Sequence, residues 1–166
     1  MKKLLTIALA GMMILSLTAC GSKDAGDGAA AGKDKNIEGT LPEIMEKITA
    51  VDTLKDIMTM DEEITAENFT FHTKIEMPKG VEGLVSGSAI GSQAHAVVLL
   101  RLPADADGDA IAKDILAKNT DGSPSKWICV MAEKVEVIRH GDLILFVQSW
   151  EDTTNEIVAK FNELAK

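Results

Sequence analysis

Tyrosine is absent from this 166-residue chain, and four Phe and two Trp supply all of its aromatic surface. A sugar-binding platform of adjacent rings is hard to build from Trp127 and Trp150 alone. Basic residues are also scarce, 17 against 26 acidic ones, for a formal charge of −9. That balance repels nucleic acid and anionic lipid, and no basic stripe relieves it. With only Cys20 and Cys129 there is no disulfide framework. The three histidines, His72, His95 and His140, fall at no metal-ligand spacing, and neither H-x-x-x-H nor H-E-x-x-H occurs. We therefore expect no cofactor and no metal.

Long apolar runs are missing too, save one at the start. Met1-Lys2-Lys3 precedes an apolar segment from Leu4 to Leu17, interrupted by Thr6, Gly11 and Ser16. A basic start followed by a segment shorter than the roughly 20 residues of a spanning helix is a secretory signal. Leu17-Thr18-Ala19-Cys20 then resembles a bacterial lipobox, an aliphatic residue and two small ones before cysteine. The thiol of Cys20 would be alkylated by a diacylglyceryl group, and the small residues would admit a peptidase to the Ala19–Cys20 bond. Two acyl chains, at about 0.8 kcal/mol per buried methylene, hold a protein stably on a bilayer. The expectation is a signal peptide over residues 1–19 and a protein lipidated at Cys20, palmitate being one such acyl chain. It would sit on the extracytoplasmic face of the cell membrane. Removal of Lys2 and Lys3 shifts the formal charge from −9 to −11.

Residues 20–36 form the lipidated cysteine and a tether. Gly, Ala, Asp and Lys dominate Gly21 to Asn36, and such a segment buries too little apolar surface to offset its ordering entropy. It would span about 20–25 Å root-mean-square. Residues 37–166 read as one domain. Thr40 and Glu43 have capping-box spacing with Pro42 in the first turn. Leu41, Ile44, Met45, Ile48, Val51, Leu54 and Met58 carry one helical stripe onward. Asp61-Glu62-Glu63 reads as a solvated turn. Phe69, Phe71, Thr73 and Ile75 alternate with polar residues and predict a half-buried strand with His72 facing solvent. Leu84–Ile90 is a weaker strand, and Gln93–Leu102 a central one ended by Pro103. A helix follows over Asp105–Lys118, with Ile111, Ala112, Ile115 and Leu116 as its buried stripe. Asn119 to Pro124 is a loop. Trp127–Ile138 and Leu143–Trp150 predict a hairpin joined at His140-Gly141. A last helix opens on a second capping-box spacing, Thr153 to Glu156, and buries Ile157, Val158, Phe161 and Leu164. Hairpin-joined strands with segregated helices predict an α+β fold. We expect an antiparallel sheet of four to five strands with helices packed on one face.

Candidates for chemistry are few. Asp105-Ala106-Asp107-Gly108-Asp109 lacks the Gly and Glu that a calcium loop starting at Asp105 needs at positions now held by Ala110 and Leu116. Acidic residues there suit a helix N-terminus. Ser86, Ser88 and Ser92 lie near His95 in sequence, yet no G-x-S-x-G elbow accompanies them. Cys129, flanked by Ile128 and Val130, reads as a small apolar residue packed in a strand, because a reactive thiol needs a cation, base or helix N-terminus beside it.

The stretch from Lys126 to Val147 resembles a known family. "KWICV", "AEKVEV" and "GD" before an aliphatic run resemble small lipoproteins of anaerobic Gram-positive bacteria, a family known as domain of unknown function 4358. The resemblance extends from Leu41 to Phe161. It implies an architecture and a location and supplies no activity and no ligand or catalytic residue. Two functional classes stay open, besides a structural or assembly role in the envelope that sequence alone does not separate from the first. One is a non-enzymatic, membrane-anchored domain that binds an envelope protein or a small ligand. The other is a cell-envelope enzyme using Cys129 or a Ser/His pair near His95.

Overall fold

The computed structural model describes residues 31–32, 36–122 and 125–165. The expected signal peptide, Cys20 and most of the tether lie outside these residues. Ala31–Gly32 forms a short strand, β1. It is followed by α1 (Leu41–Thr49), a 3-10 turn (Asp52–Leu54), β2 (Thr59–Ile64) and α2 (Phe69–Thr73). Then come β3 (Glu82–Ser88), β4 (Ala96–Arg101), α3 (Gly108–Thr120), β5 (Lys134–His140), β6 (Leu143–Ser149) and α4 (Glu151–Leu164).

The fold is α+β. Five strands, β2 to β6, pair antiparallel, and β1 adds two residues in parallel along β5. The order across the sheet is β1-β5-β6-β4-β3-β2. The chain leaves β4, crosses through α3 to β5, and returns by a tight hairpin to place β6 in the middle. Gly141, with φ +57°, makes that two-residue connection possible. Every residue of β6 is buried, as are five of the six in β4. Strands buried along their whole length need cover on both sides.

That cover comes from both faces, which corrects the expectation of helices on one face. On one face Val97, Leu99, Leu143, Leu145 and Val147 pack against Ile44, Met45 and Ile48 of α1 and Ile157 and Phe161 of α4. On the other, Val98, Leu100, Ile144 and Phe146 meet Phe69 of α2 and Ala112 and Ile115 of α3. The period-2 alternation of β4 and β6 sends successive apolar residues into opposite cores. Each fully buried Leu, Ile or Phe contributes roughly 1.5–3 kcal/mol relative to exposure.

Four further expectations are corrected. The first helix stops at Thr49. Thr49 Oγ1 bonds Met45 O at 2.8 Å, and Val51 N turns back to Thr49 O at 2.8 Å, a γ-turn that redirects the chain. Val51 and Leu54 stay in the same core by this turn, so the apolar stripe outlasts the helix. Asp61-Glu62-Glu63 lies in β2, the edge strand, where charges discourage pairing with another chain. Phe69–Thr73 is helical. Asn68 Oδ1 accepts from Thr65 N at 2.8 Å to start the turn, and Lys74 closes it in the left-handed region. Phe69, His72 and Thr73 face inward at helical spacing while Phe71 is 60% exposed, so His72 is buried rather than solvent-facing. Finally, strand structure begins at Lys134, not Trp127. Its partner β6 ends at Ser149, where Trp150 turns into α4, and the chain before Lys134 has no strand left to pair with.

The two capping-box spacings have different outcomes. At α1 both bonds form: Thr40 N donates to Glu43 Oε2 at 2.8 Å and Glu43 N donates to Thr40 Oγ1 at 3.4 Å. At α4 the helix has already begun at Glu151, so Thr153 lies buried within it, and Glu156 accepts from Thr53 Oγ1 at 2.9 Å. Among the described residues no helix is long and apolar enough to cross a membrane.

Candidate functional site

One end of the sheet collects most of the chemistry. There β4 begins, β6 ends and β5 begins, with Ala96 opposite Gln148 and Gln148 opposite Val135. The C-terminal ends of α2 and α3 meet nearby, joined by Asn119 Nδ2, which donates to Thr73 O at 2.9 Å. Between them and the chain from Ser125 to Ala132 lies a recess of about 360 Å³. Lys74, Asn119, Ser125, Trp127, Met131 and Gln148 are among its lining residues.

His95, just before β4, is 1% exposed, and its Nδ1 lies 2.9 Å from Ser149 Oγ. Its ring stacks at 6.2 Å on Trp150. Nε2 is buried without a partner. Burial first, and then the charge of Lys126, pushes its pKa down to about 4. His72 on α2 is also held below the usual imidazole range by burial and by Lys126. Glu62, whose Oε2 is 3.9 Å from His72 Nε2, opposes that shift. Lys126 is half-buried as a side chain, but its Nζ is out of reach of solvent and has no hydrogen-bond partner. It sits 4.8 Å from the Trp127 ring. Burial, and then repulsion from Lys74, pushes its pKa down to about 7.

The hydroxyls of the serines near His95 in sequence do not reach its imidazole, although Ser88 N donates to His95 O at 3.0 Å. Ser88 Oγ bonds the side chain of Gln93 at 2.9 Å, and Ser86 is buried in β3. Ser149, 54 residues further along, is the actual partner. Ser149 is fully buried, no carboxylate orients His95 Nε2 among the described residues, and the imidazole is a weak base. A triad needs each of these features reversed. The pair instead ties the start of β4 to the end of β6.

Cys129 is exposed, which corrects its expected place inside a strand. It lies in the irregular segment before β5, beside Ile128, which is 98% exposed, and Met131, which is 78% exposed. His140 bonds Asn162 Oδ1 through Nε2 at 2.7 Å and rests on Phe161. Of the acidic run, Asp107 caps α3 by accepting from Ala110 N at 3.1 Å, and Asp109 Oδ1 binds Arg139 Nη1 at 2.9 Å. Among the described residues no three His, Cys, Asp or Glu side chains gather as a metal site. Sequence reading missed Lys74, Asn119, Lys126, Gln148 and Ser149. The one available signal was a lysine at the start of an apolar block, Lys126 before Trp127-Ile128-Cys129-Val130. Comparison of the chain with protein-family models, curated proteins and solved structures finds no match.

Proposed function

We propose that this chain is a lipid-anchored extracytoplasmic domain, held at the membrane by acylated Cys20, that binds an envelope protein or small ligand without transforming it. The reading places it with the small lipoproteins that the Lys126–Val147 block resembles. The observation carrying the binding role is the recess at the end of the sheet. It is bordered by Gln148, whose buried Oε1 finds no protein partner, and by a segment that presents Ile128 and Met131 to solvent. A buried polar group without a partner is expensive in a finished core, and large exposed apolar side chains beside a recess suit a contact surface.

The exposure of Cys129 favours a second reading, an envelope enzyme with a thiol nucleophile. Such a thiol needs a base or cation to form the thiolate.

The anchor is tested by fatty-acid labelling in cells: Cys20→Ser removes the label, and persistent labelling refutes lipidation at Cys20. The binding role is tested by crosslinking the anchored protein in its own cells. A specific partner captured by the parent and lost in Ile128→Asp/Met131→Asp supports the reading. Capture unchanged by that pair of substitutions refutes this surface.

A further inference from the structure

One register row crosses the sheet from Met60 through Gly87, Ala96 and Gln148 to Val135. Beyond that row, at the end that holds the recess, the chain leaves Met58, Ile90, Ile128 and Met131 half or more exposed, and Met60 on the row is exposed as well. Among the described residues the other large apolar side chain left in water is Phe71, on α2. The five form two groups. Met58 and Ile90 are brought together at the β2 margin by Ala89 N, which donates to Met58 O at 2.9 Å, with Met60 beside them. Ile128 and Met131 belong to the segment leading into β5. Four strand spacings separate β2 from β5, so the groups stand about 19 Å apart.

Single apolar side chains scattered over a surface need no explanation, but five collected at one end of a sheet do. A small ligand in the recess reaches only the Ile128 and Met131 group, whereas a flat apolar phase meets both groups at once. Trp127 and Trp150, the only tryptophans, are half-buried at this same end, and an indole with one apolar and one wet side suits a lipid–water boundary. The anchor reaches this end too. β1 runs parallel to β5 with Ala31 opposite Arg139, so β1 is entered from the Lys134 side. Eleven residue steps separate Cys20 from Ala31, a reach of up to about 36–40 Å. Lys134 lies only about 17 Å from Arg139 along the strand. With acidic residues in excess, apolar burial and not headgroup charge is the driving term.

We propose that this end of the sheet seats on the lipid bilayer, with Met58, Met60 and Ile90 entering the interface at one margin and Ile128 and Met131 at the other. This rests on the anchor at Cys20 and deepens the binding reading: lipid takes the exposed side chains, and the recess is left for the ligand. Cys129 is the reporter, since acylation of Cys20 leaves it the sole free thiol. The lipidated protein, inserted from outside into phosphatidylcholine vesicles, is treated with a water-soluble maleimide. Its rate is compared with that of the mature-length, lipid-free Cys20→Ser chain in solution, and each variant is referred to its own lipid-free form. Seating slows the Cys129 reaction roughly tenfold or more. Met58→Asp/Ile90→Asp, about 19 Å from the reporter's side of the sheet, restores the fast rate, as does Ile128→Asp/Met131→Asp. An unslowed reaction overturns the proposal, as does slowing that survives either pair of substitutions. A lipid-free chain that is dimeric by light scattering, with Cys129 already slow, would give the surface to a second copy and overturn it too. Absence of fatty-acid label at Cys20 refutes the anchor and this contact with it. A labelled protein whose Cys129 reacts at full speed on vesicles refutes this contact alone. If partner capture is then lost in Ile128→Asp/Met131→Asp, the surface belongs to a protein and the binding reading stands.

Discussion

His95 makes the stability of this protein sensitive to mild acid. The ring is buried and neutral in the folded state, with its pKa lowered from 6.5 to about 4. In the unfolded chain it titrates near 6.5. Between those values the unfolded state binds a proton that the folded state refuses, so stability rises with pH through this window and falls as the medium is acidified. The full stabilisation is present above the unfolded pKa. Moving from about pH 7.5 to about pH 5 should remove about 2 kcal/mol through His95, with a ceiling of about 3 kcal/mol once the folded-state pKa is passed. His72, shifted in the same direction, adds to this loss. Lys126, lowered to about 7, adds a smaller part near neutrality by the same sign. Urea denaturation across this pH range, read by tryptophan fluorescence, measures the slope. In His95→Gln, which does not titrate, about 2 kcal/mol of the pH dependence should disappear whatever the variant's stability at neutral pH. An unchanged slope in that variant would refute the reasoning, as would a His95 imidazole that titrates near 6.5 in the folded protein by NMR.

Phe69→Ala should cost about 3–5 kcal/mol in urea denaturation, because the ring is fully buried between α2 and the sheet. A loss below about 1 kcal/mol, the size of ordinary surface effects, would contradict the inward-facing helix. Gly83→Ala should cost about 1–3 kcal/mol by overpacking, since a Cβ there would lie 2.8 Å from Leu100 Cδ2 and 2.9 Å from Ile64 Cβ. No change in the denaturation midpoint would show that the β2–β3–β4 face has room to spare. With Cys20→Ser removing the other thiol, Cys129 should react with a maleimide in the native protein as fast as in urea. Protection relieved only by urea would place the thiol inside the fold.

The errors of sequence reading have a common source. Phe69, Phe71, Thr73 and Ile75 fit a period of two, but Phe69, His72 and Thr73 fit a helical face equally well. The choice was made by the Thr65–Asn68 turn that precedes them and by the core waiting for Phe69. Trp127 to Val130 carries strand-forming residues, yet a strand exists only where another strand pairs with it, and β6 is already spent at Ser149. The acidic triplet of β2 shows no alternation because an edge strand need not bury a face along its length. Interior strands were easier: the apolar runs around Val97–Leu100 and Leu143–Val147 have no other place to go.

The sequence by itself determined what local chemistry and hydrophobicity decide. These are the α1 cap at Thr40 and Glu43, the Gly141 hairpin, the buried strands β4 and β6, the helical stripes of α3 and α4, and so the α+β class. Tertiary structure alone decided which polar groups meet. Ser149 reaches His95 across 54 residues, and Lys126 acquires its environment from burial, from Lys74 at the end of α2 and from the histidines of α2 and the sheet end. Periodicity reports which way a side chain faces relative to its own element. A site depends on the crossing of elements distant in sequence, and on which buried polar atoms that crossing leaves without a partner.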